Sequence, residues 1–225
     1  MNCVIACHKH WCSGVAEKLQ LTTGFKFIVI NEKSQLTVST LDEFKPDYIF
    51  FPHWSYLIPE DIYNRFECVI FHMTDLPFGR GGSPLQNLIA NGYQETMLSA
   101  FRCVKELDAG PIYLKEPLSL HGNAEEIFLR ALGLVESMIV RILFEQPEPV
   151  DQSGEVTTFN RRTPDQSDWS DATTLDEVFD RIRMLDADGY PPAFVRVGPY
   201  MLEFSRASRK AESVIADVKI SKIGE

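Results

Sequence analysis

The sequence lacks long hydrophobic runs and any trace of a secretion signal. Its longest nearly unbroken apolar stretches, such as residues 48–52, are far shorter than the roughly 18 residues that a membrane-spanning helix needs. The N-terminus has no basic region followed by an apolar run, so it does not look like a signal peptide. We therefore expect a cytoplasmic protein with no membrane partner.

The sequence also has fewer basic than acidic residues, and its few cysteines are odd in number. Lysine and arginine number 22 against 32 aspartates and glutamates, which gives a net charge of −10. A surface this acidic repels nucleic acid unless its charges are segregated, so no nucleic-acid partner is expected. The cysteines are five, an odd number, and in a cytoplasmic chain this predicts reduced thiols rather than a disulfide framework.

The apolar residues that are present fall in short blocks. With 225 residues, 44% of them hydrophobic and 24% charged, the chain suits one sizeable globular domain with an appendage. Continuous apolar runs are typical of parallel strands buried on both faces, and the segments between them are long enough for short crossover helices. The pattern predicts an α/β fold with a Rossmann-like, open and mostly parallel sheet. The four runs are residues 3–7, 25–30, 48–52 and 69–73.

The second half of the chain predicts longer elements and a boundary. Asn123 with Glu126 resembles a capping box at the start of a strong amphipathic helix that ends before Pro147. The next residues are rich in Pro, Gly, Ser and acidic side chains, which indicates a linker. We predict a catalytic domain over 1–146, a linker over 147–158 and a small α+β subdomain over 159–225.

Two residues stand out as candidates for chemistry. His72 lies at the carboxyl end of a predicted buried strand, where ligands bind in open α/β sheets. Asp108 precedes Ala-Gly-Pro, a typical turn context. A structural histidine and a turn aspartate are the alternatives. If the carboxylate reaches the imidazole, the two form a base and its orienting partner.

Three other groups leave their alternatives open. The cluster from Cys7 to Cys12 has atoms that zinc binds but no four-ligand spacing, so we expect no metal, and either substrate contact through His8 and His10 or simple packing. The aromatic residue in the sequence His53-Trp54-Ser55 either forms the wall of a flat ligand's site or packs under a loop. Arg161 and Arg162 suit either phosphate recognition or a solvated surface.

The stretch 70–87 (IFHMTDLPFGRGGSPLQN), with residues 107–112 after it, resembles the folate-dependent formyltransferase family. His72 falls on the motif histidine, and Leu76-Pro77 falls on the Leu-Pro that follows. Arg80-Gly81 with Pro84 and then Asp108 with Gly110 match the remaining parts. The resemblance covers most of the chain and implies the formyltransferase fold.

The resemblance also implies an activity: formyl transfer from 10-formyltetrahydrofolate to a primary amine, with His72 moving a proton, Asp108 keeping it basic and oriented, and no metal. The residues expected to contact the folate cosubstrate are Trp54, Ser55, Leu57, Thr74, Asp75, Leu76, Pro77, Gly82, Val104, Lys105, Glu106 and Leu107. Those expected to contact the acceptor are His8, His10, Arg80, Gln86, Arg161 and Arg162.

One position departs from the family motif. Ile70 stands where the family has an asparagine, whose amide is thought to bind the formyl oxygen as it becomes an oxyanion. Losing such a donor ordinarily costs about 3 kcal/mol of transition-state stabilisation. His53 and Ser55, at the end of the neighbouring strand, are the candidate replacements, and we expect His53 to be the catalytic donor.

The same stretch looks most like formyltransferases of nucleotide-linked amino-sugar pathways, including those for pseudaminic-acid-type sugars. The expected acceptor is therefore a small-molecule amino sugar. The alternatives are methionyl-tRNA, which the net charge and the short segment between residues 30 and 48 disfavour, an inactive folate or nucleotide-sugar binder, and a hydrolase that releases formate. The oligomeric state stays open, with a homodimer among the options.

Overall fold

A six-stranded sheet in the order β2-β1-β3-β4-β6-β7 organises the computed structural model, which describes residues 1–9, 12 and 14–224. The pairs β1–β2, β1–β3 and β3–β4 are parallel, while β4–β6 is antiparallel. The mostly parallel α/β fold is thus confirmed. Its strands are β1 (Asn2–Cys7), β2 (Lys26–Ile30), β3 (Tyr48–His53), β4 (Cys68–His72), β6 (Glu95–Arg102) and β7 (Ile112–Ser119); β5 (Arg80–Gly81) pairs separately with β8 (Thr158–Phe159).

The continuous apolar runs form the central strands because both faces of those strands are buried. Phe50 and Phe51 of β3 and Val69 of β4 have almost no exposed surface. The helices are α1 (Val15–Thr23), α2 (Val38–Phe44), α3 (Glu60–Tyr63), α4 (Pro84–Ala90), α5 (Ala124–Glu145) and α6 (Leu175–Arg183). In the described part of the chain, none of these helices combines the length and apolar character that crossing a membrane requires.

Capping explains where the helices begin. The Asn123 side chain accepts a hydrogen bond from the Glu126 amide at 2.9 Å, and the Glu126 carboxylate accepts one from the Asn123 amide at 2.8 Å. Thr174 caps α6 by accepting from the amide of Glu177 at 3.1 Å. The predicted capping box at Asn123 is therefore in place, while helix α2, capped by Thr37, was not predicted.

Contacts divide the chain into two compact units. The first comprises residues 1–80, 97–118 and 129–158, and the second comprises 81–96, 119–128 and the chain from Phe159 onward. The second contains the antiparallel sheet of β9 (Ala193–Val197), β10 (Tyr200–Arg209) and β11 (Val214–Lys222). The sequence-based boundaries stay a prediction, but residues 147–158 belong to the first unit, where Val150 bridges to Ile112 of β7.

The structure corrects the expectation that all cysteines are reduced. Cys7 and Cys12 form a disulfide, with their Cα atoms 6.4 Å apart. The turn after β1, in which the Cys12 amide donates to the Lys9 carbonyl at 3.1 Å, brings the two residues within disulfide range. The prediction of reduced thiols was therefore wrong for this pair, whereas Cys3, Cys68 and Cys103 are buried free thiols.

Candidate active site

His72 ends β4 and is buried, with one ring nitrogen held by the backbone. Its Nε2 lies 2.9 Å from the carbonyl oxygen of Gly79. A carbonyl only accepts, so Nε2 carries the hydrogen and the neutral ring keeps its lone pair on Nδ1. Gly79 can turn back toward the strand because its φ is +73°, a value that favours glycine. The sequence analysis missed this orienting carbonyl.

Asp108 faces the other ring nitrogen. Its Oδ2 lies 3.9 Å from His72 Nδ1, and both side chains are about nine-tenths buried. This distance is too long for a hydrogen bond but short enough for the carboxylate to stabilise a proton on Nδ1. The predicted pair therefore exists, with the Gly79 carbonyl orienting the ring and Asp108 contributing charge.

A cavity of about 550 Å³ opens beside this pair. Its floor is a row of three apolar side chains in register across the sheet, Phe51 on β3, Ile70 on β4 and Phe101 on β6. Asp108 lines the cavity as well as facing His72. The other lining residues are Lys33, Trp54, Tyr56, Leu57, Ile58, Pro59, Glu60, Tyr63, Cys103, Val104, Lys105, Glu106 and Leu107.

Most of the cavity wall comes from two loops that the sequence analysis selected for folate. Leu57 and Leu107 line it although they are 81% and 61% exposed, so they give it an apolar edge in contact with solvent. Trp54 Nε1 is buried and has no hydrogen-bond partner among the described residues. A buried donor in that condition costs about 1–3 kcal/mol unless an acceptor satisfies it.

The loop after His72 is packed into the protein rather than along this cavity. Thr74 and Leu76 have no exposed surface. The carboxylate of Asp75 pairs with Lys115, whose ammonium also donates to the Leu76 carbonyl at 2.6 Å. None of these residues, nor Pro77, is among those that line the cavity, so their predicted folate contacts stay a prediction.

His53 and Ser55 face a different neighbour. The His53 ring lies 5.7 Å from that of His8, and Ser55 Oγ lies 3.5 Å from His8 Nε2. Burial, with the nearby charge of Lys9 and then His8, lowers the pKa of His53 to about 3. His53 is thus neutral at physiological pH, and neither it nor Ser55 lines the cavity.

The other residues predicted to bind the acceptor have protein partners. Arg80 donates to Gln152, and the buried Gln86 amide donates to the Met184 carbonyl at 3.1 Å. Arg162 donates to the Gln166 carbonyl at 2.6 Å, and burial next to Arg181 lowers its pKa. Arg161 packs against Gly82 in the second unit, which leaves no room for a side chain at Gly82. His10 lies outside the described residues.

The second unit has a cavity of its own, of about 640 Å³, with a different character. Two arginines, Arg162 and Arg181, line it together with six carboxylates: Asp165, Asp168, Asp171, Asp176, Glu177 and Asp180. Across the described chain, no group of three or more His, Cys, Asp or Glu side chains is arranged to hold a metal ion.

Comparison with known families agrees with this fold. A family model described as formyl transferase matches residues 17–127, and one for the C-terminal domain of methionyl-tRNA formyltransferase matches residues 164–221. A solved structure named methionyl-tRNA formyltransferase, from Clostridium thermocellum, is 47% identical, covers 99% of each chain and superposes with a TM-score of 0.96. The chain therefore belongs to the formyltransferase family, which confirms the resemblance.

More distant relatives carry several different names. The methionyl-tRNA formyltransferase of Wolbachia pipientis is 26% identical over 73% of this chain and 56% of its own length. The chain spans about half the length of the curated relatives it matches. A sugar N-formyltransferase from Shewanella shares the fold, with 14% identity, a TM-score of 0.72 and coverage of 94% of this chain and 99% of its own.

Proposed function

We propose that this protein transfers a formyl group from 10-formyltetrahydrofolate to a primary amine. The observation that carries the proposal is the position of Asp108, which faces Nδ1 of His72 and also lines the apolar cavity. His72 itself is not among the lining residues, so an amine bound in that cavity would reach its Nδ1 beside the Asp108 carboxylate. Family membership supports the same reaction.

The cavity fits the cosubstrate in size and chemistry. Its apolar floor and exposed leucine edges suit a flat ring system, and Lys33 and Lys105 on its wall suit a carboxylate-bearing tail. The unsatisfied indole N–H of Trp54 would gain an acceptor from a bound ligand. Trp54 thus has a geometric advantage over His53 as a donor, because only Trp54 lines the cavity.

Each group has a separate role in the proposed reaction. The cosubstrate supplies the formyl group. Nδ1 of His72 takes the proton that the amine releases as its nitrogen bonds to the formyl carbon. The bond from that carbon to the cosubstrate nitrogen then breaks, and the imidazolium returns the proton to this nitrogen, so that tetrahydrofolate leaves as a neutral amine. Asp108 stabilises the resulting imidazolium, and the Gly79 carbonyl keeps the ring in place. Both side chains of the pair are about nine-tenths buried, and the scarcity of water around them strengthens the interaction between their charges.

Methionyl-tRNA is the first candidate acceptor, because most of the named relatives are methionyl-tRNA formyltransferases. This reverses the order given by the sequence analysis. A nucleotide-linked amino sugar is the second candidate, because a chain with a net charge of −10 repels the many phosphates of a tRNA more strongly than the few of a nucleotide sugar.

The test is a turnover assay with 10-formyltetrahydrofolate and either methionyl-tRNA or a panel of nucleotide-linked amino sugars. A formylated amine, detected by mass and absent with His72→Ala, supports the reaction and identifies the acceptor. For tRNA, the rate should also fall steeply as salt rises. Formate release without a formylated amine, or no turnover together with no tetrahydrofolate binding, would overturn the proposal.

A further inference from the structure

The side chain of Gln152 makes four hydrogen bonds beside the active site. Its Nε2 donates to the carbonyl oxygens of Asp108 at 2.9 Å and Gly110 at 2.8 Å. Its Oε1 accepts from Nε of Arg80 at 3.1 Å and from Nη2 at 2.7 Å. Every donor and acceptor site of the amide is therefore used. This residue lies in the segment 147–158, for which the sequence predicts a linker.

Asp108 needs such support, because its backbone is in an uncommon conformation. Its φ is +52°, in the left-handed region that non-glycine residues seldom occupy and that surrounding contacts must maintain. The direction of the carboxylate follows from the direction of this backbone. A clamp on the Asp108 carbonyl therefore also fixes the distance between its Oδ2 and His72 Nδ1.

The turn is fixed on its far side as well. Gly110 approaches the backbone of Arg102 so closely that a side chain at this position would overlap the Arg102 carbonyl. The Arg102 amide donates to the Pro111 carbonyl at 2.9 Å. The turn is therefore already held at Gly110 and Pro111. The two N–H groups of Gln152 bind the carbonyls of Asp108 and Gly110, and they fix the conformation of the turn from Asp108 to Gly110.

Arg80 determines which way the Gln152 amide faces. Two donors of one guanidinium meet Oε1, so the NH₂ group must face the carbonyls of Asp108 and Gly110. The resemblance implied that Arg80 contacts the acceptor. In the structure its Nε and Nη2 are already committed to Gln152.

We propose that Gln152, oriented by Arg80, is the positioning residue that holds Asp108 against His72. The inference rests on the proposed function for its kinetic consequences. Gln152 touches neither reacting group through its own side chain, and it acts through the Asp108 backbone. A misplacement of about 1 Å at a reacting pair can lower a rate about 100-fold, so the clamp matters for turnover although it lies outside the cavity.

Gln152→Glu is the sharpest variant, because it keeps the size of the side chain and its contact with Arg80 but removes both donors. We expect kcat to fall about 10- to 100-fold while KM for 10-formyltetrahydrofolate changes less than about threefold. Gln152→Ala should behave alike. Gln20→Ala is the matched control, since the Gln20 side chain also bonds to the backbone, accepting the Phe27 N–H at 3.3 Å, away from the site. Wild-type kcat in Gln152→Glu would overturn the inference.

A double-mutant comparison separates positioning from general support of the fold. In an Asp108→Asn background, measured with enzyme in excess, Gln152→Glu should cost less than about twofold, because the group it positions is already gone. The same loss in both backgrounds would contradict a role through Asp108. Arg80→Lys, which keeps the charge but loses the fork, should lower kcat in the wild-type background only.

Crystal structures of the wild type and Gln152→Glu give a readout that does not depend on activity. The distance from Asp108 Oδ2 to His72 Nδ1, 3.9 Å in the wild type, should increase in the variant. If it is unchanged, the inference fails even though the enzyme is active. If the wild type formylates no acceptor, the proposed function fails, while this distance still tests the clamp.

Discussion

The two units each contain a cavity of similar volume, yet the residues that line the two cavities differ in polarity and charge. The cavity of the first unit has an apolar floor at Phe51, Ile70 and Phe101, and one of its three carboxylates, Asp108, faces a buried imidazole. The cavity of the second unit has six carboxylates and two arginines, and most of these side chains remain in contact with water.

The difference shows why the first cavity suits catalysis. A charge exerts a stronger effect where water is excluded, so one carboxylate beside His72 can stabilise a proton effectively. In the second cavity the charges are screened or paired, as Arg181 is with Asp171 at 2.8 Å. Of the two cavities, the first therefore has the arrangement that the proposed proton transfer needs, although the second has more carboxylates.

The largest expected effect comes from removing the reacting pair. His72→Asn and Asp108→Asn should each lower kcat by about 10²- to 10⁴-fold, the usual contribution of a positioned acid or base. Asp165→Asn, in the second cavity, is the control and should stay within about twofold of wild type. Near-normal turnover in either site variant, with an unchanged circular dichroism spectrum, would show that turnover depends no more on the first cavity than on the second.

The next effect concerns the apolar floor. Ile70→Asn restores the motif residue of the family but places an amide between Phe51 and Phe101. We expect no gain in kcat and a loss of about 1 kcal/mol in the free energy of unfolding, because the half-buried amide would replace apolar packing between two rings that offer no hydrogen bond. Ile70→Val, measured alongside by urea denaturation, controls for the change in packing. A clear rise in kcat for Ile70→Asn would show that the floor needs a donor after all.

Much of the fold could be predicted from the sequence because its signals are local. The apolar runs of β1 to β4, the turn residues between them and the capping residues Asn123 and Thr174 each depend on neighbours in the chain. The pairing of His72 with Asp108 was also predictable, through the family motif. Helix α2 was missed because only Leu41 of its seven residues is buried, so its apolar pattern is weak.

The supporting contacts of the site could not be predicted, since they join residues far apart in sequence. Gln152 lies 44 positions from Asp108, and Thr157 lies 78 positions from Gly79. Their segment has the composition of a linker, and composition carries no information about which backbone groups it will meet. His53 was preferred as a donor from strand adjacency alone, which does not determine which way a side chain faces.

A smaller effect is expected from the contact that holds the orienting carbonyl. Thr157 Oγ1 accepts from the Gly79 amide at 2.7 Å, and the Gly79 carbonyl binds His72. Thr157→Val keeps the shape of the side chain and leaves that amide without an acceptor, so we expect kcat to fall about tenfold. Thr158→Val, at the exposed neighbouring residue, should have no effect. Equal rates for the two variants would show that the Gly79 carbonyl is held without Thr157.

The smallest effect belongs to the second cavity and concerns stability rather than turnover. Asp168 accepts from the Ser170 amide at 2.9 Å, and this bond, helped by Arg196 and Arg181, lowers the pKa of its carboxyl below the ordinary 3.8. Because the folded pKa is depressed, ionised Asp168 stabilises the fold above its unfolded pKa, and that contribution disappears as pH falls through the folded value. Asp168→Asn should therefore lower Tm at pH 7, and the difference from wild type should shrink below about pH 3.8. Asp165→Asn measures the effect of removing one charge from the same cavity. A Tm difference for Asp168→Asn that persists at low pH would assign the loss to packing instead of to the carboxylate.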